Sequence, residues 1–189
     1  MQVTYDDLLS RLVLGCWTVF ELFLLIRRKA RGKAARSSDR HSLLLIWAAI
    51  IGGVIAGRLV AGLIQPSFPR YIERTGLVLV AAGMLVRWHA VRTLGRFFTV
   101  NVTFQEGHRL VREGLYRKVR HPAYASLCLA VAGLAITFGN LPSAALLFLP
   151  FFGALLHRIR VEEEALLARF GDDYRRYRKE TNLLFPGIL

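Results

Sequence analysis

Apolar residues run along this chain in five long blocks: Leu8–Ile26, Ser42–Ile64, Gly76–Leu94, Ala123–Gly139 and Leu141–Leu156. A helix needs about 20 predominantly apolar residues to cross ~30 Å of hydrocarbon. The second block meets that length alone. The third is clean as far as Val86 and then carries Arg87, His89 and Arg92; the last two are shorter and free of charge. Only Asn140 and the following Pro142 separate the last two, which predicts an antiparallel helical hairpin turning at Gly139-Asn140-Leu141-Pro142. Five such blocks argue against a soluble core and for an all-α, polytopic membrane protein. The first block has no basic leader; Arg27, Arg28 and Lys29 follow it, as expected of an anchor rather than a cleaved signal.

Composition sharpens this picture. The chain has 189 residues, 54% hydrophobic, which excludes a disordered chain. Its two cysteines, Cys16 and Cys128, both sit inside apolar blocks and form no metal-ligand spacing, so neither a disulfide scaffold nor a zinc site is expected. The net charge of +13 raises nucleic acid as a partner. Placement removes it. Of the 26 basic residues, 20 fall on alternate connections: Arg27–Arg40, Arg96–Arg120 and Arg158–Lys179. The intervening connections hold only Arg70 and Arg74. Five spans with the N-terminus outside put all three basic segments in the cytoplasm. Anionic membrane lipids, not nucleic acid and not metal, are then their partners.

Charges within the spans read as follows. Arg58 lies near the outer end of its span and can snorkel; Arg11 and Arg92 lie near ends. Glu21 and Arg87 lie towards the cytoplasmic halves and either pair across helices or line a polar cavity. His41 and His89 are read as interfacial.

Two polar stretches hold the candidate chemistry. The first runs from Leu94 to Tyr124. Its Thr99–Phe104 portion alternates and suits an extended course along the interface, while Gly114 permits a conformation other residues avoid. Pro122 suits the first turn of the fourth helix, which puts Arg120 and His121 at a helix N-terminus favourable to an anionic group. The second stretch follows the fifth span: Arg158-Ile159-Arg160-Val161-Glu162-Glu163-Glu164. Beyond it, Leu166, Leu167, Phe170, Tyr174 and Tyr177 recur at helical spacing and predict an amphipathic helix over about 161–178. From composition alone the glutamates are either a solvated cluster or a binding site.

The string His108-x-Leu110-Val111-x-x-Gly114-x-Tyr116-x-x-x-Arg120-His121-Pro122-x-Tyr124 resembles the signature of the isoprenylcysteine carboxyl methyltransferase family. So do Arg158-x-x-x-Glu162-Glu163, Phe170-Gly171-Asp172-Asp173-Tyr174 and the final Leu184-Phe185-Pro186. The resemblance covers roughly 95–189. Hydropathy gives a three-helix membrane region over 1–94 and, with the C-terminal amphipathic helix, the resemblance implies a methyltransferase region over 95–189 that holds a cytoplasmic cofactor-binding segment. The resemblance also implies S-adenosylmethionine as the cofactor. By the same resemblance His108, Leu110, Val111, Gly114, Tyr116, His121, Pro122, Tyr124, Glu162 and Glu163 bind that cofactor, Arg158 lies near the acceptor, and Arg158 and Glu163 are the catalytic residues.

The implied reaction is methyl transfer to a lipid-modified or isoprenoid carboxylate at the cytoplasmic leaflet. Two other readings stay open at this stage. One is a phospholipid N-methyltransferase, whose amine acceptor must first lose a proton; the other is a non-catalytic membrane module that binds lipid or protein.

Overall fold

The computed structural model describes residues 5–27, 37–98 and 109–187. Among the described residues six α-helices follow one another: α1 (Tyr5–Arg27), α2 (Ser37–Leu63), α3 (Arg70–Leu94), α4 (Pro122–Ile136), α5 (Leu141–Phe170) and α6 (Asp172–Glu180). All five apolar blocks are therefore helical. Three of the helices, α2, α3 and α5, are long and apolar enough to cross a membrane, and α4 is a shorter apolar helix. Large apolar side chains such as Val19, Leu44, Leu59, Val78, Leu85 and Leu149 point outward, as expected of a surface facing lipid.

Two tight helix pairs form the frame, α3 against α4 and α2 against α5. Small residues permit both. A Cβ on Gly76 would lie 2.6 Å from the Gly133 carbonyl oxygen, and one on Gly83 would lie 2.7 Å from that of Ser126. On α2, Gly53 and Gly57 are one turn apart; their Cβ positions fall 2.8 Å from Leu147 Cα and 2.5 Å from Phe138 Cε2. Lipid tails are as apolar as leucine, so close van der Waals contact of this kind replaces hydrophobic burial as the force between helices.

The expected hairpin is present. Asn140 caps α5 by accepting from the Ser143 amide at 3.0 Å, and Pro142 sits in the first turn. The amides of Ser67 and Phe68 both donate to the Gly139 carbonyl at 2.8 Å, so the α2–α3 connection is tied to the α4–α5 turn at the same end of the bundle.

The C-terminal part differs from expectation. No separate amphipathic helix spans 161–178. Instead α5 continues without a break from Leu141 to Phe170, because nothing after Pro150 interrupts its backbone bonding. The helix stops at Gly171, whose φ of 54° is open to glycine at little cost. The nine-residue α6 then starts in a new direction and buries Tyr174 and Tyr177 on one face. The segment 99–108, including the stretch expected to be extended, lies outside the described residues, as does most of the basic run after α1.

Candidate active site

At the end of the bundle opposite the hairpin turn, the segment 109–121 is held in place by the chain's last residues. Gly114, at φ 57°, opens a short 3-10 turn that buries Tyr116. Val119 then pairs with Asn182 in an isolated parallel bridge. The Asn182 amide donates to the Lys118 carbonyl at 3.0 Å, and the Arg120 and His121 amides donate to Asn182 and Leu183 carbonyls at 2.9 and 3.2 Å. From α6, Tyr177 donates through its hydroxyl to the Tyr116 carbonyl at 2.6 Å. Arg112 in turn donates to the Asp173 carbonyl at 2.8 Å. A segment without regular structure thus gains a fixed backbone.

That backbone delivers Arg120 and His121 to α5. Arg120 Nε donates to Glu163 Oε1 at 2.6 Å and Nη1 donates to the Thr181 carbonyl at 2.8 Å. His121 Nε2 lies 3.4 Å from the same carboxylate oxygen, and Tyr174 donates to it at 3.2 Å. Arg178 Nη2 stands 3.7 Å from Glu163 Oε2. Burial, followed by the neighbouring Glu163 and Glu162 carboxylates, pushes the Tyr174 phenol well above its ordinary value, so it stays a donor. Glu163 is therefore the hub of a clasp joining α4, α5, α6 and the tail.

In the first turn of α4, Tyr124 stacks on the His121 ring with centroids 5.7 Å apart. Its hydroxyl donates to Glu162 Oε2 at 2.5 Å and accepts from Arg158 Nε at 3.2 Å. Arg158 is 1% exposed, and its Nη1 donates to the Ser42 hydroxyl on α2 at 2.9 Å.

These groups border one cavity with two kinds of wall. Tyr116, His121, Tyr124, Arg158 and Glu162 supply a polar wall, and Leu110 and Val111 lie at its edge. Trp17, Ile46, Trp47, Ile50 and Leu127 supply an apolar one that reaches towards α1 and α2. Of the residues expected at the site, Leu110, Val111, Tyr116, His121, Tyr124, Glu162 and Arg158 converge here. Glu163 stands behind the wall in its clasp, Gly114 and Pro122 shape the backbone without facing the cavity, and His108 lies outside the described residues.

Sequence reasoning noted other groups without assigning them to the site, or missed them. Glu21 and Arg87 both pair with each other and line the cavity, so their two readings hold together. Ser42, Trp17 and Trp47 carry no motif, and only the folded arrangement of α1 and α2 brings them in. Tyr174 and Tyr177 were legible as an apolar stripe, but not as donors to Glu163 and Tyr116.

Comparison with known proteins points to one family. The isoprenylcysteine carboxyl methyltransferase (ICMT) family matches over residues 76–168. The chain is 31% identical over 134 residues to a rice (Oryza sativa) protein named "Probable protein-S-isoprenylcysteine O-methyltransferase", an alignment covering 69% of this chain and 70% of that one. It is 31% identical over 109 residues to protein-S-isoprenylcysteine O-methyltransferase A of Arabidopsis thaliana, covering 57% of this chain and 55% of the relative. The solved structure of the eukaryotic intramembrane Ras methyltransferase ICMT superposes with a TM-score of 0.62 at 21% identity, over 95% of this chain and 68% of that one, and so shares the fold. The chain belongs to the isoprenylcysteine carboxyl methyltransferase family and is a multi-pass, helical membrane methyltransferase.

Proposed function

We propose that this chain transfers a methyl group from S-adenosylmethionine to the carboxylate of an isoprenylcysteine-like lipid acceptor. The observation that carries this reading is the cavity whose polar and apolar walls meet at Arg158 and Tyr124. A soluble cofactor suits the first wall and an isoprenoid chain the second.

The residues present fit that cofactor. A carboxylate, Glu162, is presented to the cavity beside the Tyr116 and Tyr124 rings. Its charge suits an ammonium, a sulfonium or ribose hydroxyls, and the rings suit a purine. Leu110, Val111, Tyr116, His121, Tyr124 and Glu162 would hold it, with Glu163 fixing His121 from behind. When bound, S-adenosylmethionine supplies an electrophilic methyl group.

The acceptor carboxylate is ionised at neutral pH, with an α-carboxyl pKa of about 3.5, so it needs no general base. The protein's tasks reduce to orienting that carboxylate and excluding water from it. Arg158, buried and braced by Ser42, is the cation we assign to orientation. The apolar wall does the excluding and receives the lipid tail from between α1 and α2.

Depth supports a lipid-borne acceptor. From the hairpin turn, α4 runs 15 residues to Pro122, about 22 Å at helical rise. Along α5, Arg158 lies at about 26 Å by the same measure. Both fall short of the ~30 Å hydrocarbon thickness, so the reacting groups lie just inside one leaflet. The alternation of basic connections supports the cytoplasmic leaflet for these groups, with the N-terminus outside and the C-terminus in the cytoplasm.

Labelled-methyl transfer to a panel of lipids tests the proposal. A base-labile product that releases methanol supports a methyl ester. A base-stable N-methyl product, or no transfer together with no calorimetric binding of the donor, overturns it.

A further inference from the structure

Glu21 and Arg87 stand outside the motifs that carry the family resemblance, yet both line the cavity. Their side chains are almost enclosed, at 6% and 12% exposure. Arg87 Nε lies 2.6 Å from Glu21 Oε1, and Nη2 donates to Oε2 at 2.9 Å. The remaining arm, Nη1, donates at 2.9 Å to the backbone carbonyl of Ala123. Ala123 sits between Pro122 and Tyr124 in the first turn of α4, and the same carbonyl accepts from Ser126 Oγ at 2.7 Å.

Stability alone is a poor account of this pair. Removing two charges from water costs several kcal/mol per ion, and an apolar pair of similar volume is often as stable or more so. What an apolar pair lacks is the third arm. A guanidinium is a rigid planar fork, so two arms fixed on one carboxylate fix the direction of the other. Here that direction ends on the carbonyl of the Ala123–Tyr124 peptide, two residues after His121.

We infer that Arg87, oriented by Glu21, is a positioning residue that sets the first turn of α4 and with it His121 and Tyr124, so that α1 contributes to methyl transfer without bearing any motif residue. The inference rests on the methyltransferase reading above. It makes α1 part of the catalytic unit rather than an accessory anchor.

The test uses the full chain in lipid nanodiscs and two variants. Glu21→Leu/Arg87→Met removes the pair as an apolar replacement; Arg87→Lys keeps a cation beside Glu21 but lacks the fork. Two properties are read: backbone hydrogen exchange over residues 121–127 without donor, and kcat for methyl transfer. Both variants are expected to exchange about fivefold faster in that turn while distant segments are unchanged. Their kcat is expected to fall about tenfold or more, the scale of losing one charge-assisted hydrogen bond. If the double variant does not fold, Arg87→Lys decides alone. Unchanged exchange, or faster exchange with wild-type kcat, overturns the inference. A wild-type chain that transfers no methyl overturns the functional reading and this role with it, and that case is recognised by exchange that still responds to the variants.

Discussion

Arg120 and Glu163 meet at 2.6 Å, joining the segment before α4 to α5, and three further side chains converge on the same carboxylate. Their side chains are 13% and 14% exposed, so neither is well hydrated. Glu163→Ala leaves Arg120 without its counter-charge. Breaking a buried pair on one side costs about 3 kcal/mol. A lower thermal midpoint in detergent is expected, with Glu163→Gln intermediate. A wild-type midpoint for Glu163→Ala would show that the clasp does not hold the site together.

Tyr124→Phe removes one hydroxyl that serves two charged partners, Glu162 and Arg158. Hydrogen bonds to charged groups contribute about 1.5–3 kcal/mol, which is roughly 10- to 100-fold in kcat/KM. The ring remains, so its stacking on His121 and the fold are preserved. Steady-state kinetics showing less than a threefold effect would remove Tyr124 from the working site.

Arg158→Ala separates the two halves of the proposed reaction. Turnover is expected to fall by two orders of magnitude or more, while calorimetric donor affinity changes far less, since Arg158 is assigned to the acceptor. Equal loss of both would end that division of labour. Ser42→Ala tests the brace behind it: about 1 kcal/mol, or roughly fivefold in turnover, is expected from the lost hydrogen bond to Nη1.

Helix contacts give predictions independent of chemistry. A Cβ on Gly133 runs into the Gly76 carbonyl oxygen of α3, so Gly133→Val should prevent the α3–α4 pair from closing. Gly52 has nothing within 4 Å of its Cβ position, so Gly52→Ala should be tolerated. Yield of folded protein by size-exclusion chromatography distinguishes the two, and equal yields would contradict the packing described.

That the apolar blocks are helical was legible because a hydrocarbon environment imposes one long-lived constraint, uninterrupted apolar helix, that hydropathy reads directly. The hairpin turn was legible through Asn140 and Pro142, whose capping roles are local. The motif residues from Leu110 to Tyr124 and the Glu162–Glu163 pair were legible through resemblance. The continuation of α5 to Phe170 was not, because the charged residues after Leu156 end the apolar block without ending the helix. Nor was the clasp: Asn182 and Thr181 act through their backbone, which leaves no side-chain signature. Glu21 and Arg87 stood out as charges in apolar blocks, but their partnership depends on how α1 leans on α3, which no local pattern encodes.

The parallel bridge between Val119 and Asn182 has a consequence for how the protein comes into being. The described helices are all made before the ribosome reaches residue 181, yet the segment that steadies Arg120 and His121 is made only afterwards. A nascent or prematurely stopped chain ending at Glu180 would be inserted, helical and inert. A deletion that removes residues 181–183 but spares the described helices should therefore behave in cells as a complete loss.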